Sequence, residues 1–395
     1  MTTDPLARLR AAAVSRAAAG LRRTLRPRTS DHDGLIDLAS NDYLGLSRDP
    51  RVIEGAVRAA RAWGAGSTGS RLVTGTTELH AELDRRLAEF TGAARGLVFS
   101  SGYLANLGAV AGLSGPGTLV LSDQVNHASI VDACRLSRAR VAVTPHRDVA
   151  AVARALAERT EEHAVVVTDA VFSVDGDLAP LRDLHEVVRR HGALLIIDEA
   201  HALGVVGPRG QGGAHAAGIA GQPDVVLTLT LSKSLAGQGG AVLGAPEVID
   251  TLVDTGRAFI FDTGLAPPAV GAALAALDVL AAEPDLPARA RDRAGRISSM
   301  ATAHGLETRI PDAAVVPIVL GEPRAALRAA EICAEHGVRV GCFRPPSVPR
   351  GRACLRVTAR ADLTEAEFTA FETTLGEVRN GMAPYAAHNI GANRR

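Results

Sequence analysis

Lysine is almost missing from this sequence. Of its 43 basic residues all but one are arginine, and the exception is Lys233. Arginine replaces lysine as a solvated positive charge but not as an amine, because a guanidinium stays protonated at any usable pH and forms no imine. A lysine retained alone is a candidate for chemistry that needs a primary amine, set against the plainer explanation of a leftover surface charge. Net charge is absent too, with 43 acidic residues against the 43 basic ones. That removes the basic footprint of a nucleic-acid or anionic-membrane binder. Cysteine is scarce: Cys134, Cys333, Cys342 and Cys354 lack the C-x-x-C spacing of a metal site and read as reduced, mostly buried thiols of a cytosolic protein. The N-terminus mixes alanine with arginine and has no apolar core segment, so no secretion signal is expected. The longest apolar run, Ala269 to Ala282, carries Asp278 and is too short for a bilayer. It is expected to be a core helix.

A nucleotide-phosphate loop is also excluded. Asp198-Glu199-Ala200-His201 spells the DEAH of ATP-driven helicases, which need an upstream G-x-x-x-x-G-K-[ST]. The one lysine lies downstream, in Ser232-Lys233-Ser234, with no glycine immediately before it.

The 395 residues, 47% of them hydrophobic, suffice for one large core or two coupled ones. Leu6 to Leu25 has helical spacing, Leu35 to Leu38 reads as a short strand, and Val52 to Trp63 and Glu78 to Phe90 read as helices. From Leu97 onward strands and helices alternate. The strands are Leu97–Phe99, Thr118–Leu121, Arg140–Val143, Ala164–Val167, Ala193–Ile197 and Val225–Leu229, and Gly237 to Gly240 follow the last as a loop. Alternation of this kind predicts an α/β fold with a mainly parallel sheet covered on both faces. After Pro267 the pattern becomes a smaller α+β unit. The expected divisions are an N-terminal helix and arm (1–45), a large cofactor-binding domain (46–283), a small C-terminal domain (284–382) and a disordered tail (383–395).

Ligands of such sheets sit beyond the carboxyl ends of the strands. Ser100-Ser101-Gly102-Tyr103, Asp198 to His201 and Lys233 all lie there, which predicts one site. A carboxylate closing the hydrophobic strand Ala193 to Ile197 is costly without a cationic partner. Asp198 either caps the next turn or meets a protonated pyridine nitrogen, as in pyridoxal phosphate enzymes. Ser100 to Tyr103 join a strand to a helix and form a plausible phosphate cradle, a motif weak by itself. His127 begins a helix and suits stacking on a flat ring or a structural role. Ser173 follows a strand end, where a turn serine is equally ordinary.

FSSGYLANLG, VFSVDGDLAP, DEAHALGVVG, TLTLSK and RPPSVP occur in the order found in the α-oxoamine synthases, and from about Arg22 to Thr364 the chain resembles that family. The family comprises pyridoxal 5′-phosphate enzymes of fold type I. The resemblance implies a cofactor attached covalently to Lys233, with Asp198 on its ring nitrogen and His201 and Ser173 on its phenolic oxygen. It places His127 against the ring, and Gly102, Tyr103 and Thr230 on the phosphate. Arg356, in Leu355-Arg356-Val357, would receive the amino-acid carboxylate through a bidentate fork; the plainer explanation is a surface arginine on a strand edge. Arg22, Asn41 and Ser347 match positions near the acyl substrate and the mouth of the site.

Two departures from the pattern matter. Ser347 stands where threonine is common, which keeps the hydroxyl. Asp262-Thr263 stands where Ser-Thr usually reaches the neighbouring subunit's phosphate, so Thr263 alone suits that contact. The implied reaction joins L-alanine to a pimeloyl thioester, on coenzyme A or an acyl carrier protein, with loss of CO2. Lys233 is its base, and the enzyme a cytoplasmic homodimer. Family members that use glycine with acetyl or succinyl groups, and a non-catalytic binding protein on the same fold, are the alternatives.

Overall fold

The computed structural model describes residues 4–18, 21–25, 27–29 and 34–389. Its organising element is a seven-stranded sheet whose inner strands are short, apolar and buried on both faces, while the edge strand Arg140–Thr144 leaves Val141 and Val143 exposed. In chain order the strands of the molecule are β1 (Ile36–Leu38), β2 (Arg95–Phe99), β3 (Thr118–Asp123), β4 (Arg140–Thr144), β5 (His163–Asp169), β6 (Leu194–Asp198), β7 (Val225–Thr230), β8 (Gly240–Gly244), β9 (Val315–Gly321), β10 (Val338–Phe343) and β11 (Ala353–Thr358). The large sheet runs β2-β8-β7-β6-β5-β3-β4, and only β8 opposes the rest. The expected α/β fold with a mainly parallel sheet is observed.

Successive side chains of a strand point to opposite faces, and two layers of core follow from that period. Val120, Val165, Val167, Ile196 and Val226 face the helices Gly102–Gly112, Ala128–Leu136 and Pro246–Thr255. Leu119, Leu121, Val166, Leu195, Ile197 and Leu227 face Glu78–Thr91, Val149–Ala157, Leu181–Arg190 and Pro267–Ala282. Each such fully buried side chain contributes about 1.5–3 kcal/mol of transfer free energy.

The smaller sheet runs β1-β10-β11-β9, with β1 parallel to β10 and the other pairs antiparallel. Residues 36–38 of the N-terminal arm therefore complete a sheet whose other strands come from the last third of the chain. The apolar run expected as a core helix is the helix Pro267–Ala282, and the four cysteines are free.

Several local expectations need correction. Gly237 to Gly240 were expected to form a loop, but Gly240 already starts β8, a hairpin partner of β7 with only three apolar residues to signal it. The first helix spans Ala7–Ala18 rather than Leu6 to Leu25; it buries no residue, so no packing prolongs it, and residues 21–25 are irregular while 19–20 lie outside the described residues. The last helix runs Glu365–Asn389, past the Ala383 expected to open a disordered tail. Residues 390–395 of that tail lie outside the described residues. Among the described residues no helix is long and apolar enough to cross a membrane.

Candidate active site

The carboxyl ends of β5, β6 and β7 bring Asp169, Asp198 and Thr230 to one edge of the large sheet, and the following loops add His201 and Lys233. These residues line a cavity of about 290 Å³ together with Ser101, Gly102, Tyr103, Asn106, His127 and Ser129. A second cavity of about 760 Å³ shares its walls at His127, His201 and Lys233, and is lined further by Asn41, Phe172, Ser173, Ser347 and Arg356. The structure thus gathers ten of the expected site residues around Lys233: Gly102, Tyr103, His127, Asp198, His201 and Thr230 in the first cavity, Asn41, Ser173, Ser347 and Arg356 in the second. Arg22 is not among them. It borders a separate groove with Arg16 and Arg23 and meets the second cavity only through their shared neighbour Pro346. Thr263 lines neither; its backbone bridges to Ser70, and the adjacent Asp262 accepts a hydrogen bond from Ser100.

Lys233 Nζ lies 2.9 Å from His201 Nε2. Burial lowers its pKa to about 8, the charge of Arg356 pushing the same way while Asp198 and Asp169 oppose. The opposite edge of the His201 ring meets Tyr43, whose hydroxyl is 2.6 Å from Nδ1. Burial, with the charges of Lys233 and Arg356 beside it, holds His201 well below its ordinary pKa, so the ring is neutral and carries one N–H. Tyr43 also donates to Asn41 Oδ1 at 3.1 Å and accepts from Arg356 Nη2 at 3.4 Å. Arg356 is itself buried on β11; its Nη1 donates to Asn41 Oδ1 at 3.0 Å and its Nε to the Ser173 carbonyl. A surface strand-edge position is thereby ruled out for this arginine.

At the other end of the site two carboxylates stand side by side, since Asp169 and Asp198 are register partners on β5 and β6. Asp198 accepts from Asn106 Nδ2 at 2.7 Å and from its own turn at Ala200 N at 2.8 Å. Asn106 is fixed in turn by Ser129 and Thr228. Asp169 is buried, and among the described residues neither of its oxygens has a hydrogen-bond partner. Burial first, then the charge of Asp198, pushes its pKa well above the ordinary carboxylate value. Glu199 points away from the site. It accepts from Gly213 N and Ala214 N, both at 2.7 Å, and fixes the turn behind. His127 caps the helix Ala128–Leu136 by accepting from Ser129 N, and burial lowers its pKa.

Ser101 caps the helix Gly102–Gly112 by accepting from Leu104 N at 3.1 Å. The amides of Gly102 and Tyr103 fall in the first turn, where no helical acceptor exists for them. A Cβ at Gly102 would stand 2.9 Å from Thr230 Cβ, so only glycine lets the helix start this close to β7.

A family model for aminotransferase class I and II matches residues 33–373. The 8-amino-7-oxononanoate synthase of Mycobacterium sp. strain KMS is 62% identical over 375 residues, 95% of this chain and 97% of that protein. This chain belongs to the 8-amino-7-oxononanoate synthase family. Its backbone follows those of two solved enzymes. Serine palmitoyltransferase from S. paucimobilis, solved with a bound PLP-myriocin aldimine, gives a TM-score of 0.88 at 29% identity, covering 97% of this chain and all of that one. The 8-amino-7-oxononanoate synthase of Francisella tularensis gives 0.75 at 26% identity, covering 88% and 99%.

Pyridoxal phosphate fits what this synthase-family chain presents. A flat cationic heteroring needs a buried carboxylate not already held in an ion pair, and Asp198, which forms none among the described residues, is one. A phosphate needs free amides at a helix start, and Gly102 and Tyr103 carry them. Sequence reasoning overlooked Asp169, Asn106 and Tyr43. Asp169 ends an apolar strand just as Asp198 does, so that signal was present. Tyr43 gave none, because its approach to His201 depends on where β1 docks.

Proposed function

We propose that this chain condenses L-alanine with a pimeloyl thioester, releasing CO2 and the free thiol and giving 8-amino-7-oxononanoate, the reaction for which its relatives are named. The observation that carries this reading is the pairing, across one cavity wall, of a buried guanidinium with the only primary amine of any side chain. When bound, pyridoxal 5′-phosphate supplies the electron sink that stabilises a carbanion at the amino acid's Cα.

Lys233 holds the cofactor and later takes the Cα proton on Nζ, a task suited to an amine whose pKa burial has lowered to about 8. His201 follows it. While Nζ is neutral, Nε2–H donates to it and the Tyr43 hydroxyl donates to Nδ1. Once Nζ carries a proton, Nε2 accepts and Nδ1–H donates to Tyr43, which turns its own hydroxyl toward Asn41 Oδ1. Asp198 is the anion for the ring nitrogen, and a protonated Asp169 beside it keeps the pair at one negative charge. His127 walls the ring. Arg356, pre-oriented by Asn41, Tyr43 and the Ser173 carbonyl, takes the amino-acid carboxylate. The larger cavity, reaching Gln124, Arg135 and Ser347, receives the acyl chain. Pro346 lines it, and Arg22 borders the adjoining groove that shares Pro346.

A homodimer accompanies this reading. Leu72 is 51% exposed, Val73 78% and Phe261 70%, and all three lie in the two stretches flanking the Ser70–Thr263 bridge. Apolar loops so exposed are suited to cover by a second copy, which would bring Thr263 toward the partner's phosphate cradle. Sedimentation of the active species tests it, and an active monomer overturns it. Four cysteines free of disulfides suit a cytoplasmic enzyme. The reaction itself is tested by assaying products across amino acids and acyl thioesters. L-Alanine with a pimeloyl thioester is expected to give the fastest turnover, and equal or faster turnover with glycine and acetyl-CoA overturns the substrate reading.

A further inference from the structure

His146 lies outside both cavities, in the turn after β4, and each of its ring nitrogens faces a carboxylate. Nδ1 is 3.1 and 3.2 Å from the two oxygens of Asp123, and Nε2 is 3.0 Å from Asp177 Oδ2. Ionised carboxylates only accept, so both nitrogens must carry hydrogen and the ring is an imidazolium. Its edge contacts with Phe172, at 4.3 Å between centroids, fix its plane. The two carboxylates belong to different segments: Asp123 ends β3 and Asp177 lies in the loop after β5. Asp123 also accepts from Val125 N at 2.9 Å and so shapes the turn that carries Asn126 and His127. Asp177 closes the loop Phe172–Asp177 through the Phe172 N–H to Asp177 carbonyl bond, and that loop offers the Ser173 carbonyl to Arg356.

We infer that His146 is a positioning residue of the active site, a charged clasp joining the turn that presents His127 to the loop that anchors Arg356. The inference rests on the reading above for the roles of those two residues, and on the structure alone for the clasp. The charges around the ring decide what its loss does. Asp177 has further cations, Arg147 Nη1 at 3.2 Å and Arg309 Nη1 at 3.5 Å, the latter also near Asp312. Among the described residues Asp123 has no second cation; besides His146 its carboxylate accepts the backbone amides of Val125 and Arg147. Arg147 sits at φ 58, a left-handed conformation costly for a non-glycine residue, and its N–H to Asp123 is what holds it there. Losing the proton on His146 therefore frees the His127 side first and leaves the Asp177 loop on its arginines. The two carboxylates outweigh burial and raise the ring's pKa to about 9, so the clasp is closed at neutral pH and opens above it.

The experiment compares the wild-type holoenzyme with His146→Gln by amide hydrogen exchange and by the pH profile of kcat/KM for L-alanine. In the variant, residues 123–127 are expected to exchange about tenfold faster while residues 172–177 change less. The fall in wild-type kcat/KM above about pH 9 is expected to vanish from the variant's profile, whose KM for L-alanine rises about tenfold. Unchanged exchange at 123–127, or an alkaline limb that persists in the variant, overturns the inference. Exchange does not depend on which reaction is catalysed, so its failure is distinct from failure of the substrate reading. Should the glutamine variant not fold, Asp123→Asn keeps the test. Removing one of the two carboxylates is expected to move the alkaline limb down by about one pH unit, and an unmoved limb overturns the clasp.

Discussion

The two cavities meet at Lys233, His127 and His201 but are built in opposite ways. Every wall of the smaller one comes from the end of a strand in a single sheet or from the loop or helix that follows it, and Asn106 ties Asp198 to Ser129 and Thr228. The larger one collects Asn41 from the N-terminal arm, Gln124 to Arg135 from the β3 side, Phe172 to Asp175 from a loop and Phe343 to Arg356 from the small sheet. A pocket made by one sheet is as rigid as the sheet. A pocket made between two sheets is adjustable, and suits a step that must admit two substrates in turn.

That contrast is broken most severely where the cavities join. Lys233→Arg keeps the charge and removes the amine, so turnover is expected to fall at least about ten-thousandfold, and borohydride is expected no longer to fix the cofactor to the chain. Mass spectrometry of the reduced protein checks it; normal turnover in the arginine variant refutes the covalent role. Within the smaller cavity, Asp198→Asn is expected to slow deuterium wash-in at Cα of alanine by about 10²–10³-fold, about 2.7–4 kcal/mol in barrier. Asp169→Asn replaces a neutral acid by a neutral amide and is expected to change the same rate less than about threefold. Equal losses for the two would erase the distinction between them. In the larger cavity, Arg356→Ala removes a charged hydrogen-bonding partner, for an expected rise of about 10–100-fold in KM for L-alanine with a smaller change in kcat. A kcat defect at unchanged KM would refute it.

The mildest test reads the shared lysine directly. Carbon-13 at lysine Cε gives a single resonance in this chain, expected to titrate near 8 in the cofactor-free protein. The folded amine is the weaker base, so between about 8 and its ordinary 10.5 the unfolded chain binds more protons and stability rises with pH across that window. A midpoint at the ordinary value would show the amine to be solvated.

Legibility in the sequence divides along the same line. The smaller cavity could be read because a strand end is a local signal: apolar runs closed by Asp198 and Thr230, a Ser-Gly turn before a helix, and a lone lysine. The sheet that holds them follows from the alternation of short apolar strands with helices. Asp169 was equally readable and was passed over because its strand was expected to stop at Val167. The larger cavity depended on the resemblance for Asn41, Ser347 and Arg356, since nothing within ten residues of any of them tells which distant strand it will face. Strand β8 escaped notice because its apolar centre, Ala241-Val242-Leu243, is only three residues long and bounded by glycines.

The pairing of residues 36–38 with 338–340 also sets an order of birth. A chain made from its N-terminus has the whole sheet from β2 to β8 in hand before any residue of β9, β10 or β11 exists. Domains fold as units once complete, whereas β1 emerges first and then has no partner until nearly nine-tenths of the chain has been made. Asn41 and Tyr43 ride on that waiting arm, and their partner Arg356 comes later still. The half of the site proposed to select substrates is thus closed last, by the first strand to leave the ribosome, and a chain cut short before Ala353 would carry the floor of the smaller cavity without the Arg356 guanidinium.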